Sequence, residues 1–190
     1  MMQSLEVPTV HHNYVRAGEL FAAIVAQGEG RWSSPSPCAG WDARGVVEHV
    51  IEIHDNMLLA PMGAVASRPA DDPVARWAAT TSASVAAIES ALADREGTTS
   101  VAELDLEGLL SAFTGELLIH SWDLAKAIGV APHLDAELCA ETLANMIAHD
   151  EHMRASGLFQ AGVTVRSDAD AASQLIAFAG RNPEWTPRPS

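Results

Sequence analysis

Basic residues are scarce in this chain. Lys and Arg number 11 against 25 Asp and Glu over 190 residues, a formal net charge of −14 with His neutral. Such a field repels phosphate backbones and anionic lipid, so neither nucleic acid nor a membrane surface is an expected partner. Cysteine is scarcer still. Cys38 and Cys139 are too few for a disulfide framework and read as reduced thiols of a cytoplasmic protein. Aromatic residues make up only 5% while alanine is abundant, which favours closely packed helices over a β-sandwich. No apolar run reaches membrane-spanning length, because the most apolar segment, around residue 117, is interrupted by Glu116, His120 and Asp123. The N-terminal stretch MMQSLEVPTVHHNYVR lacks the charged-then-apolar pattern and the small-residue cleavage site of a secretion signal. A Gly-rich phosphate loop and a Ser nucleophile elbow are also absent.

What is present is core material. Apolar residues make up 48% and charged residues 19%, enough for one well-buried core in a single domain, with residues 10–155 as its body and 156–190 as a tail. The 3.6-residue period predicts helices over about 10–27, from Asp42 to Pro61, from Pro73 through Leu92, about 105–128 and about 136–153, with a short last helix near 170–179. Asp42 and Asp135 read as N-caps, Asp72 and Pro73 as a cap with a first-turn proline, and Gly129 as a C-terminal stop. Trp41 and Val46 have the spacing of a hydrophobic staple. The expected buried stripes are Val46, Val50, Ile53 and Met57 on the second helix, and Val74, Trp77, Thr81, Val85, Ile88 and Leu92 on the third. The architecture that buries such helices is an all-α, up-and-down four-helix bundle with additional short helices and a C-terminal tail.

One helix carries residues that do not belong in a leucine stripe. In TGELLIHSWDLAKAIG, Glu116 and His120 lie among Leu109, Phe113, Leu117 and Leu124. A buried, unpartnered carboxylate costs several kcal/mol. Three explanations are open: a stripe rotated by misreading, a structural polar cluster, or a metal site. Residues four apart stand one above the other on a helix, so Glu116 and His120 can aim at one point. His49, two turns into the second helix, can face them from a neighbouring helix. Two imidazoles and one carboxylate make a three-ligand set with open positions, the pattern of a catalytic metal centre.

Two motifs in order, SPSPCAGWDARGVVEHVI and GELLIHSWDLAKAIG some seventy residues later, resemble the DinB-like superfamily. More closely, the chain resembles short single-domain members of its branch named for the N-terminal domain of mycothiol-dependent maleylpyruvate isomerase. The resemblance covers residues 10–155 and extends to the tail GLFQAGVTVRSDADAASQLIAFAGRNPEW, where Gln160 departs from the Gly frequent in short members. It implies a divalent metal held by His49, Glu116 and His120, with Zn the first choice and Ni, Fe or Mn compatible with the donors. It also implies a low-molecular-weight thiol such as mycothiol as co-substrate, in S-transfer or isomerisation of a small-molecule substrate. The isomerase carries a further C-terminal domain, so its own reaction does not carry over. A metal-dependent hydrolase and a non-catalytic metal-binding or interaction bundle stay open, and so does the question of whether the chain is an enzyme.

Asp123, one turn beyond His120, reads either as an acceptor behind a ligand imidazole or as a packing or surface residue. His54, about 140° around the helix from His49, reads as a surface or pocket-rim residue. His149 reads as a core histidine, with Met153 beside it. Trp122 reads as packing or a pocket wall, and Arg44 as a bridge to a neighbouring acid. Cys38, on the order of 10 Å or more from His49 by helical rise, is not expected to share a metal with it and reads as a small buried apolar residue, or else as a loop thiol near the pocket mouth. A homodimer through outer helix faces is compatible with the sequence.

Overall fold

The helix Leu106–Ile128 is apolar on nearly every side, and it is the one the others surround. The computed structural model describes residues 7–95, 105–149 and 161–187. In chain order the helices are α1 (Val7–Val25), α2 (Ala43–His54, continued by a π-helical turn over Asp55–Leu59), α3 (Pro73–Arg95), α4 (Leu106–Ile128), α5 (Ala136–Ala148) and α6 (Ala171–Phe178). There is no strand among the described residues. α1, α2, α5 and α6 all pack on α4, while α3 closes against α1 and α2. The fold is therefore an all-α bundle, as the amphipathic pattern predicts, and it is consistent with the DinB-like type that the motif resemblance implies. None of the described helices is long and apolar enough to cross a membrane.

The helix ends follow from short-range chemistry. The Asp42 carboxylate accepts the Gly45 amide at 2.8 Å, Asp105 accepts Gly108 at 2.9 Å, Asp135 accepts Leu138 at 3.0 Å and Asp170 accepts Ser173 at 2.8 Å. Each satisfies an amide that the first helical turn leaves without a partner. Asp72 accepts the Val74 amide at 3.0 Å ahead of Pro73. Gly129 ends α4 at φ +70°, a left-handed conformation that costs a residue with a Cβ much more than glycine. The Arg31 guanidinium donates to the Ile128 carbonyl, placing a cation at the negative end of the same helix.

The structure corrects the helix phases. On α2 the buried line is Val46, Val47, Val50, Ile51 and His54, continued by Leu58 and Leu59, while Ile53 is half-buried and Met57 is 54% exposed. Two causes combine: the true stripe is centred one position away from the predicted one, and the wider π turn offsets the 3.6-residue phase after residue 54. On α3 the buried line is Trp77, Thr80, Ser84, Ile88 and Ala91. Thr81, Val85 and Leu92 are half-buried and Val74 is exposed. Small polar residues with hydroxyls can be buried on a helix, as Thr80 is by donating to the Arg76 carbonyl at 2.9 Å, so an apolar count misplaces the stripe. α5 stops at Ala148, short of the expected 153, and His149 is exposed beyond it rather than in the core. Met153 and Gln160 lie outside the described residues. α1 spans 7–25 rather than 10–27. In the tail, the extended piece is tied to α6 by the Val163 amide, which donates to the Ala177 carbonyl at 2.8 Å.

His54 is the largest correction. It is fully buried, not at a rim, with ring centroids 4.5 Å from Phe113, 5.2 Å from Trp77 and 6.0 Å from Tyr14. Its Nδ1–H donates to the Val50 carbonyl at 2.6 Å. Burial among these rings pushes its pKa down from 6.5 to about 4. The unfolded chain therefore takes up a proton near pH 6.5 that the native chain refuses until near pH 4. His54's contribution is complete above pH 6.5 and is lost as the pH falls toward 4, by up to roughly 3 kcal/mol. Urea unfolding from pH 7 to pH 4 is expected to show that decline, and His54→Leu to flatten it. Equal slopes in the two proteins would contradict the assignment.

Candidate metal centre

Four segments meet near the middle of α4, and each brings a different kind of side chain. α4 itself presents Glu116, His120 and Asp123 along one line, since steps of three and four residues stay on one helical face. His120 is buried, Asp123 is fully buried and the Glu116 side chain is 30% exposed. His49 comes from the flank of α2 and is half-buried. The loop before α2 supplies Cys38 and Trp41. Arg181, just beyond α6, comes from the tail.

His49, Glu116 and His120 form one donor group, with a ligand atom of each within 4.8 Å of the others. The His120 Nε2 lies 3.1 Å from a Glu116 carboxylate oxygen, and the two imidazoles meet edge to face with centroids 5.0 Å apart. On the opposite edge of the His120 ring, Nδ1 lies 3.0 Å from Asp123 Oδ2, a close ion-pair contact that is bent away from a straight hydrogen bond. Asp123 in turn receives Arg181 at Oδ2 through Nη2 (3.0 Å) and at Oδ1 through Nε (3.4 Å), and the Cys38 thiol donates to Oδ2 at 3.1 Å.

Trp41 covers the outer side. Its ring lies 4.5 Å from His49 and 6.1 Å from His120, so its role is a lid over the imidazoles. The loop holding it is pinned by its own backbone. The Ser36 amide donates to the Trp41 carbonyl at 3.1 Å, Ala43 to Ser34 at 2.9 Å and Arg44 to Trp32 at 2.9 Å. An open depression of about 550 Å³ runs beside this loop, lined by Ser33, Pro35, Ser36, Cys38, Trp41 and Asp42 among others.

The charge states follow from these contacts. Burial lowers the His49 pKa, helped by the adjacent His120, so its ring is neutral and offers a lone pair at neutral pH. Burial alone would raise Glu116, but the hydrogen bond and charge of His120, with His49, outweigh it and hold the carboxylate ionised. Asp123 behaves likewise, its burial outweighed by His120 and Arg181. For His120 burial opposes charge, yet Asp123, Cys38 and Glu116 together raise its pKa well above the ordinary value. An imidazole between two carboxylates thus carries a positive charge that a cation facing Nε2 can replace. The donors fit a divalent metal: two nitrogens and one carboxylate converge, and the second nitrogen of His120 is already held by another acid.

Set beside the expectations, the structure brings His49, Glu116, His120 and Asp123 together, although His49 sits on the edge of its helix's buried line. Trp122 is buried packing, with the Lys126 ammonium 5.4 Å over its ring. Arg44 donates to the backbone carbonyl of Asp71 at 2.9 Å rather than to a carboxylate. Cys38 shares no donor group with His49, as expected, but it is half-buried and hydrogen-bonded to Asp123 rather than packed as a small apolar residue, because the turn at Gly40 (φ +85°) folds it back against Asp123 and His120. Arg181 was not found by sequence reasoning at all. Its one signal is a basic residue just past Gly180, a positive-φ glycine at the end of the last helix, in a chain poor in bases.

A helical bundle with a three-donor cluster between α2 and α4 defines the class. The sequence pattern of the mycothiol maleylpyruvate isomerase N-terminal domain matches residues 15–125, over half of the chain, and the chain belongs to that family. The family is mycothiol-related and metal-binding. Two curated relatives are the uncharacterized proteins MT0763 (strain CDC 1551 / Oshkosh) and Rv0738 (strain ATCC 25618 / H37Rv) of Mycobacterium tuberculosis. Each is 29% identical over 176 residues, covering 87% of this chain and 94% of the relative. No solved structure matches the chain.

Removing the shared anion tests how the cluster is held together. Asp123→Ala leaves Arg181 and His120 facing each other without their common partner, and is expected to cost about 3–5 kcal/mol. Denaturant unfolding measures it, and a loss below about 1 kcal/mol would show that the buried charges do not depend on Asp123.

Proposed function

We propose that the chain is a divalent-metal protein whose ligands are His49, Glu116 and His120, and that it activates a low-molecular-weight thiol of the mycothiol type for S-transfer or isomerisation of a small molecule. The observation that carries this reading is the convergence of the three donor atoms within 4.8 Å, with the far nitrogen of His120 paired to Asp123. Family membership supports the thiol.

The ligand residues have complementary tasks. His49 and His120 contribute neutral nitrogens, and Glu116 contributes a single negative charge. Against a divalent cation this set leaves one positive charge, which favours an incoming anion such as a thiolate. When bound, the metal would lower the pKa of a thiol or water at its open position toward neutrality. Asp123 fixes the ring orientation of His120 and strengthens its donor nitrogen. Trp41 limits water over the imidazoles, and the depression beside Cys38 and Trp41 offers an approach for the carbon skeleton of a small substrate. Zn suits the donor set, as do Ni, Fe and Mn.

Elemental analysis of protein purified without a histidine tag is expected to find about one divalent metal per chain, and His49→Ala to lose most of it. Full metal content in the variant would refute the ligand set. Cobalt-substituted protein titrated with mycothiol or another small thiol is expected to change its visible spectrum. No change would remove the thiol and leave hydrolysis by metal-activated water as the better account.

A further inference from the structure

Two donor groups share His120, one on each edge of its ring. The first is His49, Glu116 and His120. The second is Cys38, His120 and Asp123, whose ligand atoms also lie within 4.8 Å of one another. A neutral imidazole has one proton and one lone pair, so His120 serves a single metal at a time. A metal at Nε2 leaves the proton at Nδ1 beside Asp123, and a metal at Nδ1 leaves it at Nε2 beside Glu116. Nothing in the donor chemistry of α4 alone chooses between them, and the thiol makes the second set the better one for a soft metal.

The difference lies in the tail. Arg181 Nη2 is 3.0 Å from Asp123 Oδ2 and 3.6 Å from Cys38 Sγ, and its Nε is 3.4 Å from Asp123 Oδ1. Its positive charge therefore stands in hydrogen-bond contact with two members of the second group, while it reaches His49 and Glu116 only through longer-range electrostatics. The chain itself places it there. Gly180 turns the backbone at φ +84°, the Arg181 amide donates to Ile176 at 3.0 Å, and Nη1 donates to Ala179 at 3.0 Å.

We propose that Arg181 is a built-in cation that excludes a divalent metal from Cys38, His120 and Asp123, and so commits His120 to the side of His49 and Glu116. The proposal rests on the ligand set given above as the working site. It makes Arg181 a positioning residue, acting through Asp123 and His120 and not on substrate. With its charge removed, a metal can bind the second group, forming bonds to Cys38 Sγ and His120 Nδ1. The thiol proton and the Nδ1 proton leave to solvent, and the Nε2 proton stays on the ring beside Glu116.

Cobalt(II) is the probe, because a cysteine thiolate bound to it gives a near-ultraviolet charge-transfer band that nitrogen and oxygen ligands do not. Wild-type protein in the absence of added thiol is expected to bind cobalt without that band. Arg181→Met is expected to acquire it and to lose about tenfold or more in affinity at the first site. The band should persist when His49→Ala is added and vanish with Cys38→Ser. Arg181→Gln, which keeps a donor to Asp123 and so supports tail docking, should give the same result, whereas Arg181→Lys should keep the wild-type spectrum. No Cys38-dependent band in the Met or Gln variant overturns the proposal. So does a band already present in wild type, or one as strong in Lys as in Met. Failure of the underlying ligand set reads differently: His49→Ala would then leave wild-type cobalt binding unchanged, and the Arg181 variants would still answer the question asked of them.

Discussion

The contact on which the site depends is the buried meeting of Asp123 with His120 and Arg181. A fully buried carboxylate is tolerable only if opposite charge and hydrogen bonds replace its lost hydration. Asp123 has the imidazole on one side, the guanidinium on another and the Cys38 thiol beside them. Those three partners come from α4, the tail and the loop before α2. One anion thus fastens three separate segments of the chain, and the orientation of His120 follows from the same contact.

Around that contact the bundle supplies rigidity. α4 is buried along nearly its whole length, so its polar line cannot rotate toward solvent without exposing Leu117, Leu118, Ile119 and Leu124. The arch over Ser34–Asp42 is held by backbone hydrogen bonds rather than by packing alone, and it carries both Trp41 and Cys38 to the site. Arg76 on α3 bridges to Glu48, next to His49, with contacts of 2.7 and 2.9 Å, steadying the helix that presents the second imidazole. Buried His54 is a separate polar element in the core, neutral and bound to its own helix backbone.

Much of the fold was legible because helix signals are local. Asp42, Asp72 with Pro73, Asp135 and Gly129 mark element ends that depend on a few neighbouring atoms, and the structure has them where they were read. Helix phase was less legible. The stripes of α2 and α3 were rotated because Thr80, Ser84 and His54 are polar yet buried, each on the side that faces the core. The π turn after His54 left no clear mark in the periodicity. Of the candidate site, the Glu116, His120 and Asp123 spacing was visible on one helix, and His49 was reached by supposing a neighbouring helix. Cys38 reads by default as a small buried residue because its partner Asp123 is remote in sequence, and Arg181 lies in a tail whose resemblance assigns no chemistry to it.

The sequence by itself determined the helical class, most of the element ends, and the line of acid, imidazole and acid along α4, because these depend on spacing within a few turns. The tertiary structure alone decided that a loop thiol and a tail guanidinium join that line, and on which edge of the His120 ring each group stands. Those are long-range choices. Arg181 is 58 residues from Asp123 and Cys38 is 85, separations over which no local preference acts. The burial of a shared charge, together with the backbone turns at Gly40 and Gly180 that present the two groups, brings them to one point.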